Sequence, residues 1–208
     1  MTNPWLRIPA ADYEGHMSSP NVAQQSFLAQ TFKESLDKYN CSTIALLGCA
    51  TGNGLEYIKK DATQRVTAID INPEYLKVLR ERYQGCVPEL EIVEADLEMC
   101  TLENQAYSLI FAGLVFEYLE PRILLPKIAN WLSVGGVLIS ILQLPSKHLN
   151  QVSETPYTSL KTLELNMKLI SPKQFKSIAN DADLQEIETR TVTLASGKPF
   201  FIGAYIRV

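Results

Sequence analysis

The chain has 208 residues, 46% of them hydrophobic, and 19 Lys plus Arg against 23 Asp plus Glu give a net charge of -4. That length suits one α/β domain with its own core (1–208) and is short for two. No segment concentrates positive charge and no apolar run reaches the length of a leader or membrane span, so a cytoplasmic protein without nucleic-acid or membrane partners is expected. Cys41, Cys49, Cys86 and Cys100 form no C-x-x-C, and with only His16 and His148 beside them no familiar zinc spacing arises. No metal is assigned, and the thiols are expected to be reduced and packed as small apolar residues.

In chain order, apolar residues from Val22 to Tyr39 recur at steps of mostly four, an amphipathic helix started by Ser19-Pro20-Asn21. A strand at Thr43–Leu47, a helix from about Gly54 to Asp61 and a strand at Arg65–Ile69 closed by Asp70 follow. Pro73 opens a helix through Tyr83; strands come near Leu90–Val93 and at Tyr107–Ala112. A helix over Pro121–Leu132, with Pro126 predicting a kink or late start, is stopped by Gly135-Gly136 before a strand at Val137–Leu142. After a helix from Pro172 to about Asn180, Leu184–Leu194 and Pro199–Val208 are joined by the short turn Ala195-Ser-Gly-Lys as a hairpin. The prediction is a Rossmann-like, doubly wound sheet of seven strands, mainly parallel with an antiparallel C-terminal hairpin. Residues 1–40 would form a helical lid, 41–144 the ligand-binding core, 145–170 a cover and 171–208 the closing helix and hairpin.

In such a sheet ligands bind beyond the carboxyl ends of the strands, where the loop LLGCATGNG at 46–54 lies. Its glycines let backbone approach a ligand, and a following helix would offer free N–H groups. A dinucleotide fingerprint finds only the frame Gly52-x-Gly54-x-x-Tyr57, with tyrosine where a small residue belongs, and no Gly-Lys-Ser/Thr marks a P-loop.

LLGCATGNG, AIDINPEYL, VEADLEM, SLIFAGLVFEYLEP and LSVGGVLISI, in this order over residues 44–142, resemble the five motifs of the class I S-adenosylmethionine-dependent methyltransferases. The resemblance implies S-adenosylmethionine as cofactor, with S-adenosylhomocysteine as product. It would set Gly48, Cys49, Ala50, Gly52 and Gly54 beneath the methionine, and Asp70 on the ribose diol, whose two hydroxyls suit two acceptor oxygens. Ile71 would pack on the adenine, Asp96 would accept from its amino group, and the Leu97 backbone would complete its edge. Ala112 and Gly113 would lie near the methionine end. Leu46 replaces the usual acidic residue, and Ala50 the usual middle glycine, a change tolerable at negative φ. These departures motivate a non-catalytic, cofactor-binding relative as the alternative, and Gly52-x-Gly54 a more distant one, an NAD(P)-dependent oxidoreductase.

Methyl transfer from a sulfonium is a direct displacement, so alignment matters more than any one catalytic group. In the N-terminal segment ADYEGHM, Tyr13 could face the sulfonium, worth about 1 kcal/mol, and His16 could act as a base near neutral pH. Glu117 and Tyr118, beyond the fourth strand, read first as the opening turn of a helix; Gln143 and His148 are further candidates. The long connection 145–170 would shape the acceptor pocket. A small-molecule acceptor is expected, with the protein a monomer or homodimer.

Overall fold

Asn72-Pro73, Glu120-Pro121 and Ser171-Pro172 share one grammar, an oxygen-bearing cap followed by a proline whose missing N–H costs nothing in the first turn. In the computed structural model, which describes residues 3–39, 41–147 and 149–208, each starts a helix. Asn72 Oδ1 accepts from the Glu74 and Tyr75 N–H groups at the start of α3 (Pro73–Tyr83). Glu120 accepts from Arg122 N at α4 (Pro121–Trp131), and Ser171 from Gln174 N at α5 (Pro172–Asp181). Two helices precede them, α1 (Ala10–Ser18) and α2 (Gln24–Lys38).

The strands are β1 (Thr43–Leu47), β2 (Arg65–Asp70), β3 (Leu90–Glu94), β4 (Tyr107–Gly113), β5 (Leu132–Gln143), β6 (Leu184–Thr193) and β7 (Pro199–Arg207). They form one seven-stranded sheet in the order β3-β2-β1-β4-β5-β7-β6. β1 to β5 run parallel, and β7 pairs antiparallel with both β5 and β6. The doubly wound sheet with its C-terminal hairpin is thus present.

Both faces are covered, which is why the central strands read as continuous apolar runs. On one face Leu124, Leu125 and Ile128 of α4 and Phe175 and Ile178 of α5 pack on Leu47, Ile69, Ile110 and Leu138. On the other, Leu28 and Phe32 of α2 and Leu76 and Leu79 of α3 pack on Ile44, Val66, Leu109 and Ile139. The edge strand β6 carries ion pairs instead: Glu186 with Lys176, Glu188 with Lys38 and Arg190 with Glu34. Charged edges discourage pairing with another sheet.

Four expectations need correction. The helix after the glycine loop is only a single 3-10 turn, Leu55–Tyr57, so the loop has no long helix dipole behind it. β5 begins at Leu132, which already pairs with Tyr107; the irregularity before the Val137–Leu109 pair takes up Gly135 at φ 78° and Gly136. Thus α4 ends at Trp131, and the glycines shape the strand rather than stop the helix. α4 also runs through Pro126 from an early start at Pro121. Three cysteines are buried thiols as expected, but Cys86 is exposed.

Candidate functional site

Strand order reverses between β1 and β4, and there the chain leaves a cavity of about 510 Å³. The volume falls within the roughly 300–1,000 Å³ usual for small-molecule pockets. Asp70, at the carboxyl end of β2, organises its floor. The residue is 8% exposed; Oδ2 accepts from the Ala50 N–H at 2.8 Å and Oδ1 from the Asn72 N–H at 2.9 Å. One side chain therefore ties the glycine loop to the head of α3. Burial raises its pKa, opposed by the N–H groups of Asn72, Ala50 and Ile71.

Of the cofactor residues expected from sequence, Gly48, Ala50, Asp70, Ile71, Asp96, Leu97 and Gly113 line this cavity. Asp96 Oδ1 accepts from the Glu98 N–H at 2.9 Å, and the residue lines the cavity. Cys49, Gly52, Gly54 and Ala112 do not line it; Gly52 faces Tyr83 and Leu79, and Gly54 faces Phe32. Gly48 has φ 64°, and a Cβ there would sit 2.6 Å from Val115 Cγ1, so both conformation and space demand glycine. Ala50 does not have the negative φ that its methyl prefers: at 46° it is left-handed, held by the bond from its N–H to Asp70.

The N-terminal segment closes the cavity from above. Asn72 Nδ2 donates to the carbonyls of Trp5 at 2.8 Å and Ile8 at 3.1 Å, and the Ala10 N–H donates to Glu74 at 2.9 Å. Glu14 of α1 pairs with Arg82 and accepts from Thr51 Oγ1 at 2.6 Å. On its other side α1 meets the cover segment: Ser159 Oγ donates to Asp12 at 2.6 Å, and Gly15 lets Tyr157 pack where a Cβ would be 2.1 Å from its ring. Leu160 and Leu163, in a 3-10 helix at Thr158–Leu163, join Ile8 and Tyr75 in a separate apolar cluster. Replacing Asn72 with alanine removes a helix cap and two lid bonds together. The expected cost is about 1–2 kcal/mol in urea unfolding, with faster proteolytic cleavage near residues 3–20; an unchanged cleavage rate would contradict this latching role.

Tyr13 stands in a group of rings, 5.1 Å from Tyr75 and 6.3 Å from Trp5, with Trp5 edge-on to Tyr118 at 5.0 Å. Burial, then the Asp70 charge, holds the Tyr13 phenol well above its ordinary pKa, so it stays protonated. His16 also lines the cavity but is buried, with Nδ1 2.9 Å from Thr155 Oγ1. Burial and the Lys198 ammonium push its pKa down to about 4. Hence the imidazole is neutral at neutral pH and a weaker base than the sequence suggested. His148 lies outside the described residues.

Glu117 is the main correction. α4 starts only at Pro121, and Glu117 sits in the turn before it, 1% exposed, on the cavity wall. Its Oε1 accepts from the Gln143 N–H at 2.6 Å, its Oε2 has no partner, and burial lifts its pKa to about 7. Lys198, in the β6–β7 turn, was not anticipated at all. It too lines the cavity, donates from Nζ to the Gln151 carbonyl at 2.8 Å, and is lowered by burial to about 8. Nothing in Ala195-Ser-Gly-Lys distinguishes it from a solvated turn lysine; Glu117 had a signal, since it follows the carboxyl end of a central strand.

Among the described residues, no group of three or more His, Cys, Asp or Glu side chains could hold a metal, and no helix is long and apolar enough to cross a membrane. Residues 46–140 match the family model of the methyltransferase domain. No curated protein matches the chain by sequence. Among solved structures, the complex of the Haloferax volcanii Trm112 methyltransferase activator with a methyltransferase aligns with a TM-score of 0.73 and 15% identity, over 95% of each chain. Geranyl diphosphate C-methyltransferase from Streptomyces coelicolor A3(2), solved with S-adenosyl-L-homocysteine, gives 0.69 and 14% over 88% of this chain and 78% of its own. The N-methyltransferase NodS from Bradyrhizobium japonicum WM9, also with S-adenosyl-L-homocysteine, gives 0.66 and 17% over 88% and 87%. The chain thus has the fold of the class I S-adenosylmethionine-dependent methyltransferases, and its residues 46–140 match their methyltransferase domain.

Proposed function

We propose that the protein transfers the methyl group of S-adenosylmethionine to a small molecule. The carrying observation is the partial roof: the cavity is about 510 Å³ and is partly covered by the N-terminal lid and the cover segment, which bond to one another through Asp12, His16, Thr155 and Ser159. Such a space suits a compact acceptor beside the cofactor and disfavours a macromolecular surface. The residues present fit the cofactor. Asp70 has lone pairs left for the ribose diol after its two backbone bonds, Ile71 offers an apolar adenine face, and Asp96 with the Leu97 backbone suits the adenine edge. Gly48, Ala50 and Gly113 would border the methionine, while Cys49, Gly52, Gly54 and Ala112 would support them from behind.

The bound cofactor supplies an activated methyl group. The protein's part is to align the acceptor and exclude water. Tyr13, beside Asp70, offers an aromatic face to the positive sulfur; His16 acts as a neutral hydrogen-bonding group in the roof.

Incubating the protein with methyl-labelled S-adenosylmethionine and a fractionated cell extract tests this. Label entering the low-mass fraction is expected. Label found only in protein or RNA would overturn the small-molecule reading, and cofactor binding with no transfer to any fraction would favour a non-catalytic relative.

A further inference from the structure

Two buried charges of opposite sign stand at the acceptor end of the cavity. Among the described residues, Glu117 Oε2 has no hydrogen-bond partner, and Lys198 Nζ donates to the Gln151 carbonyl alone. Both residues are nearly sealed from solvent, at 1% and 3% exposure. Burial without a counter-charge is strongly unfavourable for either group. They do not neutralise each other, since no ion pair joins them and neither shifts the other's pKa.

Gln143 connects them. Its backbone N–H holds Glu117, while its Nε2 donates at 2.9 Å to the Gln151 carbonyl that Lys198 also uses. Gln143 ends β5 opposite Phe200 of β7, two residues from Lys198. The carboxylate and the ammonium therefore share one wall, each fixed through the same residue. Asp70 and Asp96 are accounted for by the cofactor on the reading above, which leaves these two charges for the acceptor or for the cofactor's own ammonium and carboxylate, a choice that the affinity for S-adenosylhomocysteine separates.

We propose that the acceptor is a small zwitterion, an amine whose own anionic carboxylate or phosphate group is taken by Lys198 while its nitrogen is received by Glu117. The proposal rests on the small-molecule reading and narrows it. Trp5 and Tyr118, in edge-on contact with each other and lining the same cavity as Glu117, add aromatic faces suited to an ammonium. Both pKa shifts run toward neutral forms, as expected of groups whose counter-charges arrive with a ligand. For transfer, the bound ammonium gives one proton to Glu117 Oε2. The freed nitrogen pair forms the N–C bond as the C–S bond breaks, its electrons staying on sulfur. The product leaves as the N-methylated ammonium, and Glu117 returns its proton to solvent.

The test is calorimetric titration of the protein saturated with S-adenosylhomocysteine, using glycine, β-alanine and phosphoethanolamine as zwitterions, ethylamine as the lone cation and propionate as the lone anion. At least one zwitterion is expected to bind about 30-fold or more tightly than ethylamine and propionate, and to accept label from methyl-labelled S-adenosylmethionine. Lys198→Met should then weaken that zwitterion about 30-fold with little change for S-adenosylhomocysteine, and Glu117→Gln should weaken it and slow turnover. A carboxylate preference between glycine and phosphoethanolamine, or a phosphate one, identifies the anion. Binding of ethylamine or propionate equal to that of every zwitterion, or no zwitterion binding at about 10 mM, overturns the proposal. So does a parallel loss of S-adenosylhomocysteine affinity in Lys198→Met, which would give Lys198 to the cofactor's own carboxylate. These outcomes leave the small-molecule reading to the extract experiment, where label in the low-mass fraction keeps it standing.

Discussion

Replacing Asp70 with alanine lowers the affinity for S-adenosylhomocysteine by about 2–4 kcal/mol, roughly 30- to 1,000-fold. Two effects add. On the proposed function the variant loses the acceptors for the ribose hydroxyls, and it also releases the Ala50 and Asn72 N–H groups that now meet the carboxylate at 2.8 and 2.9 Å. Ala50 is left-handed at φ 46°, and a non-glycine residue holds that conformation only when its surroundings insist on it. Without the bond to Asp70 the glycine loop is therefore expected to relax away from its ligand-binding shape. Asp70→Asn should fall between, because an amide offers one accepting oxygen where the carboxylate offers two. Titration with S-adenosylhomocysteine measures both variants; unchanged affinity in the alanine variant would place the second motif away from the cofactor.

Phe175→Ala is expected to cost about 3–5 kcal/mol of folding stability, the range for truncating a fully buried aromatic. Phe175 is completely enclosed, with Phe116 at 4.8 Å and Tyr205 at 5.5 Å between ring centroids. It thereby joins α5, β7 and the turn after β4. Because Phe116 precedes Glu117, the cavity left behind should also loosen the carboxylate's seat. Urea unfolding reports the stability loss as a lower midpoint at unchanged slope. A loss below about 1 kcal/mol would mean that the neighbouring rings collapse to fill the space.

What the sequence made legible follows from which signals are local. Asn72-Pro73, Glu120-Pro121 and Ser171-Pro172 announce helix starts within two residues, and α3 was bounded at Pro73 and Tyr83 as the structure has it. Continuous apolar runs such as Thr43–Leu47 mark central strands because helices cover both faces. The helix expected after Gly54 failed because its apolar residues, Leu55 and Ile58, suffice for one turn and then give way to Lys59-Lys60-Asp61. The early start of β5 was hidden because Gly135-Gly136 look like a stop, whereas pairing with Tyr107 begins at Leu132, five residues before the expected start at Val137.

In the site, Asp70 and Asp96 were legible as cavity-lining residues because the strand ends of such sheets are where ligand crevices form. His16 was found, but its basicity depends on burial and on Lys198, a residue 182 positions along the chain. Lys198 itself shows no local signature, since only the pairing of β5 with β7 carries its turn to the cavity. The roof is likewise tertiary. Trp5, Tyr13, Tyr75 and Tyr118 come from four separate segments, and their spacing in sequence says nothing of their meeting.

The cavity at the β1–β4 reversal is expected to hold S-adenosylmethionine through the glycine loop and Asp70. Isothermal titration of the unmodified protein with S-adenosylmethionine, S-adenosylhomocysteine, NADH and NADPH tests it most directly. The account predicts one-to-one binding of the first two at micromolar dissociation constants and no heat from either nicotinamide cofactor. Binding of NADH or NADPH in place of S-adenosylhomocysteine, or no binding of any of the four, would contradict it.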